Sequence, residues 1–201
     1  MKKIVCALIL LLCMHNGFSQ VGIGTTTPSS ELEIQTSASG IPALELNPQT
    51  APTGTADGQL SVIGDKLYMY DNTRNKWLSI ETTKLHFGRP GNRNNEILRY
   101  AGNYSSQNSS PLMPFDGTIV HITARARGGL ANKDFSVEIR NNNSLVSGTL
   151  NTYSLSSSEF IDTAVNIDFS SGDFIIGRIA STPTSDTVQD LILTVWVKWR
   201  Q

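Results

Sequence analysis

The chain has 201 residues, enough for one or two domains of ordinary size. Charged residues make up 16%, against roughly 25% in typical soluble domains, and 16 Lys and Arg against 17 Asp and Glu leave a net charge of -1. That balance excludes the strongly basic face a nucleic-acid binder needs, and 39% hydrophobic residues exclude a wholly disordered composition.

Met1-Lys2-Lys3 is a short basic start, residues 4–14 are an apolar run, and Gly17-Phe18-Ser19 places small residues at the third and first positions before a cut. This is the pattern of a secretory signal peptide over residues 1–19, cleaved before Gln20, with a retained short anchor as the alternative. The run is shorter than the about 20 apolar residues of a membrane span, so no span is expected in the mature chain. Both cysteines, Cys6 and Cys13, lie in this segment. Val5 and Leu12 precede them where a lipoprotein signal wants a small residue, so no lipid anchor is expected. The exported chain then has no disulfide and must be held by packing or by oligomerisation.

Residues 20–57 are rich in Thr, Ser, Gly and Pro, with Pro28, Pro42, Pro48 and Pro52 excluding helix interiors and central strands. Only short apolar pieces such as Leu32-Glu33-Ile34 and Ala43-Leu44-Glu45-Leu46 interrupt them. The segment reads either as a disordered linker or as an extended stalk ordered by identical neighbouring chains. Residues 58–82 differ. Their aromatic and β-branched runs are separated by Gly64-Asp65 and by Asp71-Asn72-Thr73-Arg74-Asn75, which predicts a small β-hairpin or meander. So small a sheet is marginal alone.

Residues 83–201 read as an all-β domain, with strands predicted over 84–87, 96–100, 118–126, 135–139, 145–150, 160–169, 174–179 and 189–199. Turn residues at Gly128-Gly129, Asn141-Asn142-Asn143 and Ser171-Gly172-Asp173 divide them. No 3.6-residue apolar stripe calls for a helix, and short strands at this spacing predict a sandwich or jelly roll. In the last strand Leu191, Leu193, Val195, Val197 and Trp199 share one face. Ile192 and Trp196 stand on the other face, which predicts that they meet a neighbouring subunit, a Trp at a solvent rim being the ordinary alternative.

Val21-Gly22-Ile23-Gly24-Thr25-Thr26-Thr27-Pro28 followed by Ser29-Ser30-Glu31-Leu32-Glu33-Ile34 resembles the opening of exported surface and fibre proteins of the Bacteroidota. Gly58-Gln59-Leu60 through Lys66-Leu67-Tyr68-Met69-Tyr70-Asp71 to Lys76-Trp77-Leu78 resembles the small hairpin module of such fibres. Phe115-Asp116-Gly117-Thr118-Ile119-Val120, Phe135-Ser136-Val137-Glu138-Ile139-Arg140 and residues 165–173 are similar to trimeric jelly-roll heads, which cap tail fibres and are distantly like complement and tumour-necrosis-factor heads. The resemblance implies a C-terminal jelly-roll head on a stalk and hairpin module, assembled as a homotrimer.

Little points to catalysis. His86 and His121 are far apart in sequence, and no His, Cys, Asp and Glu cluster has metal-site spacing, so no metal, cofactor or catalytic residue is expected. No G-x-S-x-G elbow is present. Val21 to Thr26 lacks the lysine and following helix of a phosphate loop. Glu138, Glu159 and Asp168 are acids available for glycoside cleavage, but solvent-facing strand or turn positions explain them. Arg125 and Arg127 lie two apart and share a strand face, with Arg140 and Arg178 as possible additions. That face suits an acidic glycan or phosphate, or else holds cross-strand ion pairs with Glu138 or Asp168. Tyr100, Tyr104 and Tyr153 are candidate exposed aromatics for sugar stacking, or caps on the sandwich ends. Thr163 in Asp162-Thr163-Ala164 and Thr187 in Asp186-Thr187-Val188 match the short O-glycosylation pattern of exported Bacteroidota proteins. The expectation is a non-enzymatic exported cell-surface or fibre-like protein, structural or adhesive, with itself as partner. The alternatives are a carbohydrate-binding module and an accessory subunit of a larger surface adhesin or secretion complex.

Overall fold

The computed structural model describes residues 21–27, 29–36, 39–101, 110–129, 133–155, 158–180 and 187–200. The predicted signal peptide, its cleavage point, Tyr104 and Asp186 lie outside them. The described residues are all-β, without a helix, in two compact units divided between Asn47 and Pro48.

In the first unit, β1 (Val21–Ile23) and β2 (Leu32–Ile34) pair in parallel, with Val21 opposite Leu32 and Ile23 opposite Ile34. Alternation puts these four aliphatic side chains on one face, with Gly22 and Glu33 on the other. Gly24 turns the chain at φ 79°, and a Cβ there would stand 1.9 Å from the Gln35 carbonyl oxygen, so only glycine fits. Two three-residue strands cannot enclose a core, and Val21, Ile23 and Leu32 are each more than half exposed.

The second unit opens with an antiparallel meander of β3 (Leu60–Ile63), β4 (Lys66–Asp71) and β5 (Lys76–Ser79). Segment 48–57 belongs with it. The Trp77 indole donates to the Pro52 carbonyl at 2.8 Å, and Gly54 lies flat against Tyr70, where a Cβ would stand 2.0 Å from the ring. There follow β6 (Thr83–Arg93), β7 (Arg99–Tyr100), β8 (Gly117–Arg125), β9 (Gly128–Gly129), β10 (Lys133–Asn141), β11 (Ser144–Leu145), β12 (Asn151–Leu155), β13 (Glu159–Asp162), β14 (Ile167–Phe169), β15 (Phe174–Ile179) and β16 (Val188–Trp199).

The large sheet runs β13-β8-β16-β6-β7, with β14 also on β8 and β9 on β16. In the smaller sheet β10 pairs with β15 along one edge and with β11 and β12 along the other. Both sheets feed one core: Phe87, Ile119, Ile122, Leu193 and Val195 from the large sheet meet Phe135, Val137, Ile139, Ile175 and Ile179 from the small one. Gly177 of β15 marks the closest approach, since a Cβ there would lie 2.4 Å from a Leu193 methyl.

The predicted strand 160–169 is broken. Residues 163–166 loop out between β13 and β14, which pair with the two ends of the same strand, β8. Likewise 145–150 is mostly turn, closed by Gly148 at φ 77° and flanked by β11 and β12. Gly128-Gly129, expected as a turn, instead pairs with Val188 and Gln189. The asparagine turn does form. Asn142 and Asn143 take φ 45° and 66° in the two-residue hairpin between β10 and β11, the left-handed geometry such loops require.

β16 runs through the middle of the large sheet, paired with β6 and β8 along most of its length. Leu191, Leu193, Val195 and Val197 are buried, at about 1.5–3 kcal/mol each before ordering entropy is charged. Val195→Asp places an unpaired charge in this core. We expect that variant to lose its cooperative unfolding transition, read by circular dichroism during thermal melting; a native-like transition would contradict this placement of β16.

Candidate functional site

Strand register sets out three rows on the outer face of the large sheet. Gly88, Ile192, Arg125 and Glu159 form one; His86, Thr194, Thr123 and Ile161 the next; Lys84, Trp196 and His121 the third. Ile192 is 56% exposed and Ile161, on edge strand β13, is 70% exposed, while Trp196 is half-buried. The polar members are held in place. His86 Nδ1 meets the Thr194 hydroxyl at 3.0 Å, and His121 Nδ1 donates to the Thr163 carbonyl at 3.0 Å. A cavity of about 300 Å³ lies among Ile161, Ile192, Thr123 and Thr194. A second of about 440 Å³ beside it is lined by Arg125, Arg127, Asp190 and Ile192.

Arg125 and Arg127 therefore do come together, and beside Ile192. Each carries an acidic partner: Arg125 stands 3.5 Å from Glu159 in an open pair, and Arg127 stands 2.8 Å from Asp190. Neither partner is the Glu138 or Asp168 expected from sequence. Arg140 and Arg178 do not join this face. They lie in the smaller sheet, at 2.8 and 3.0 Å from the buried Glu138, because β10 and β15 pair with each other and not with β8.

Tyr100 and Tyr153 are half-buried, each against a ring of the core. Tyr100 of β7 packs edge-on to Phe87 at 5.7 Å. Tyr153 of β12 stacks on Phe135 at 5.5 Å and meets Phe160 at 5.1 Å. Burial, with the Asp162 charge, pushes the Tyr153 hydroxyl up to about 12. Both rings cap the core, correcting their reading as exposed loop aromatics. Thr163 is exposed in the looped-out segment, and Thr187 is half-buried just ahead of β16.

A second constellation sits where the meander meets the large sheet, and sequence reasoning passed over it. β8 carries an irregularity at Val120, because Trp196 pairs with His121 while Val197 pairs with Ile119. The loop 163–166 lies against the same point. Arg74, from the β4–β5 turn, gathers the carbonyls this leaves outside the ladder: Val165 at 2.8 Å, Val120 at 3.0 Å and Thr163 at 3.1 Å. Asp71 holds the far side of the guanidinium at 2.6 Å. Beside it Lys76 donates to Asn166 and Asp168, and Thr118 donates to Asp168 at 2.7 Å. Burial alone would push the Asp168 carboxyl up, but the Lys76 and Thr118 hydrogen bonds and the nearby Arg200 hold it below its ordinary value. Nothing in the sequence distinguishes Arg74 from an ordinary turn residue.

Among the described residues no three His, Cys, Asp or Glu side chains are grouped to hold a metal ion, and no helix is long and apolar enough to cross a membrane. Compared with protein-family models, curated proteins and solved structures, the chain matches none.

Arg74→Met leaves the part-buried Val120 and Val165 carbonyls without this donor and is expected to cost about 2–3 kcal/mol. Early protease cleavage within 58–82, with the rest of the second unit intact, is the diagnostic outcome. Acid acts on the same seam. Asp168 has a depressed folded value, so its contribution is present above the unfolded value near 3.8 and lost as pH falls through the folded one. Discounted for solvent screening, this amounts to about 1 kcal/mol or less, or roughly 2–4 °C of melting temperature. Asp168→Asn should flatten the decline in melting temperature below pH 4, measured by calorimetry against wild type.

Proposed function

We propose that this chain is a non-enzymatic exported protein of the cell surface or of a fibre, structural or adhesive, that assembles as a homotrimer with a jelly-roll head making the contacts. The observation that carries this reading is the outward apolar surface. In the first unit Val21, Ile23 and Leu32 lie on one face of a strand pair too small to hold itself together, and Ile41 and Leu44 are exposed as well. On the second unit Ile161 and Ile192 stand beside Trp196 on the outer face of the large sheet. Exposed apolar side chains gathered on one face are how interaction sites mark themselves. The two-sheet, shared-core arrangement of the second unit supports the head reading.

The division of labour follows. Residues 20–47 set attachment and chain register, the meander with segment 48–57 belongs to the head-bearing unit, and residues 83–201 present the contact surface. Ile192 and Trp196 are the interface anchors, with Ile161 added to them. The alternative roles of Arg125 and Arg127 as glycan contacts carry less weight, because each already has a carboxylate beside it.

The test is the solution mass of the protein by light scattering, with Ile161→Asp/Ile192→Asp and Trp196→Ala alongside wild type. Wild type should have three times the chain mass. The variants should keep the wild-type circular dichroism spectrum and shift toward the monomer. A monomeric wild type, or folded variants that remain trimeric, would remove the reading or its interface respectively.

A further inference from the structure

We infer that the cavity at the seam between the meander and the large sheet is a binding site for an acidic saccharide, a sugar ring carrying one carboxylate. The inference rests on the adhesive reading above and names the ligand that reading leaves open. The cavity has a volume of about 420 Å³ and is lined by Lys66 and Tyr68 of β4, Phe115 and Asp116 from the segment before β8, Ser171 and Arg200. This falls within the roughly 300–1,000 Å³ of small-ligand sites.

Two cations in its wall are poorly engaged. The Lys66 ammonium rests 3.4 Å from the centroid of the Phe115 ring, with no carboxylate at ion-pair distance among the described residues. The Arg200 guanidinium is only loosely held. Among the described residues its Nε is buried without a hydrogen-bond partner, its nearest carboxylates, Asp168 and Asp116, stand at 3.8 and 3.9 Å, and its one side-chain hydrogen bond, to the Phe169 carbonyl, is 3.4 Å long. Its Nη1 has no hydrogen-bond or ion-pair partner among the described residues and its Nη2 bond is long, so the Nη1–Nη2 end of the guanidinium can take a carboxylate in two parallel hydrogen bonds.

The remaining lining selects among anions. Asp65 and Asp116 balance Lys66 and Arg200, so the wall as a whole offers no net attraction to a multiply charged phosphate, and discrimination among ligands rests on which wall groups are paired at once. A single carboxylate can pair with the cations while the aspartates accept from neighbouring hydroxyls. Phe115 is half-exposed, apolar surface against which the C–H groups of a sugar ring can be buried. The Tyr68 hydroxyl in the wall, which burial and the Asp65 charge push further up, is a protonated donor.

The measurement is titration calorimetry of the purified protein with digalacturonate, neutral digalactose and inorganic phosphate. Digalacturonate should bind, and digalactose should bind at least about tenfold more weakly, the loss expected for one charge-assisted pair. Arg200→Gln and Phe115→Ala should each weaken digalacturonate by about tenfold. Phe115 is exposed enough that its variant keeps the fold if Arg200→Gln does not. No digalacturonate binding, equal affinity for digalactose, tighter binding of phosphate, or a folded Phe115→Ala protein at full affinity would each overturn the site. Light scattering on the same samples separates the two readings. A monomer that binds digalacturonate overturns the trimer and keeps the site, and a trimer that binds none overturns the site alone.

Discussion

The second unit depends on one constraint: β16 must be covered on its inner face and paired on both edges. Its alternation delivers Leu191, Leu193, Val195 and Val197 to a single buried line, and β6 and β8 supply backbone partners on either side. The smaller sheet closes over that line so tightly that β15 keeps a glycine opposite Leu193. A strand with these neighbours has no alternative register, because a one-residue slip would turn Ile192, Thr194 and Trp196 inward and the aliphatic line outward.

That pairing is not perfect, and its imperfections decide where other parts attach. At Asp190, with φ 53°, the register against β6 shifts; its carboxylate accepts from the Gly91 backbone N–H and faces Arg127. At Val120 the register against β8 shifts and a carbonyl is left outside the ladder. Backbone acceptors inside a protein need donors, and here one guanidinium reaches three of them. The meander is thereby fastened by the chemistry of a fault in the sheet, with Lys76 and Asp168 as a more exposed second attachment. The Ser79 hydroxyl, which accepts from the Trp199 backbone N–H at 3.0 Å, is a third.

The outer surface divides into two chemically different areas. The face around Ile161 and Ile192 is apolar, with its charges already paired, and suits another protein surface. The seam around Phe115 and Arg200 has loosely engaged cations and a half-open aromatic ring, and suits a small polar ligand. On the proposed adhesive reading, the first surface joins copies and the second takes the saccharide.

Sequence by itself determined the all-β class, the meander, the asparagine hairpin and the inner line of β16. Each is local: period-two alternation, turn residues with φ above zero, and the absence of a helical stripe are properties of neighbouring residues. It also placed Ile192 and Trp196 opposite that line, since alternation alone fixes their side. Tertiary structure decided which strands pair, and with that everything dependent on distant residues. Arg140 and Arg178 went to Glu138 because β10 joins β15, Tyr100 and Tyr153 turned to the core because Phe87 and Phe135 were there to receive them, and 160–169 split because its two ends pair with the two ends of β8 while 163–166 loop out between them. Arg74 was illegible for the same reason. Its role comes from carbonyls more than forty positions away, orphaned by a register shift that no local pattern encodes.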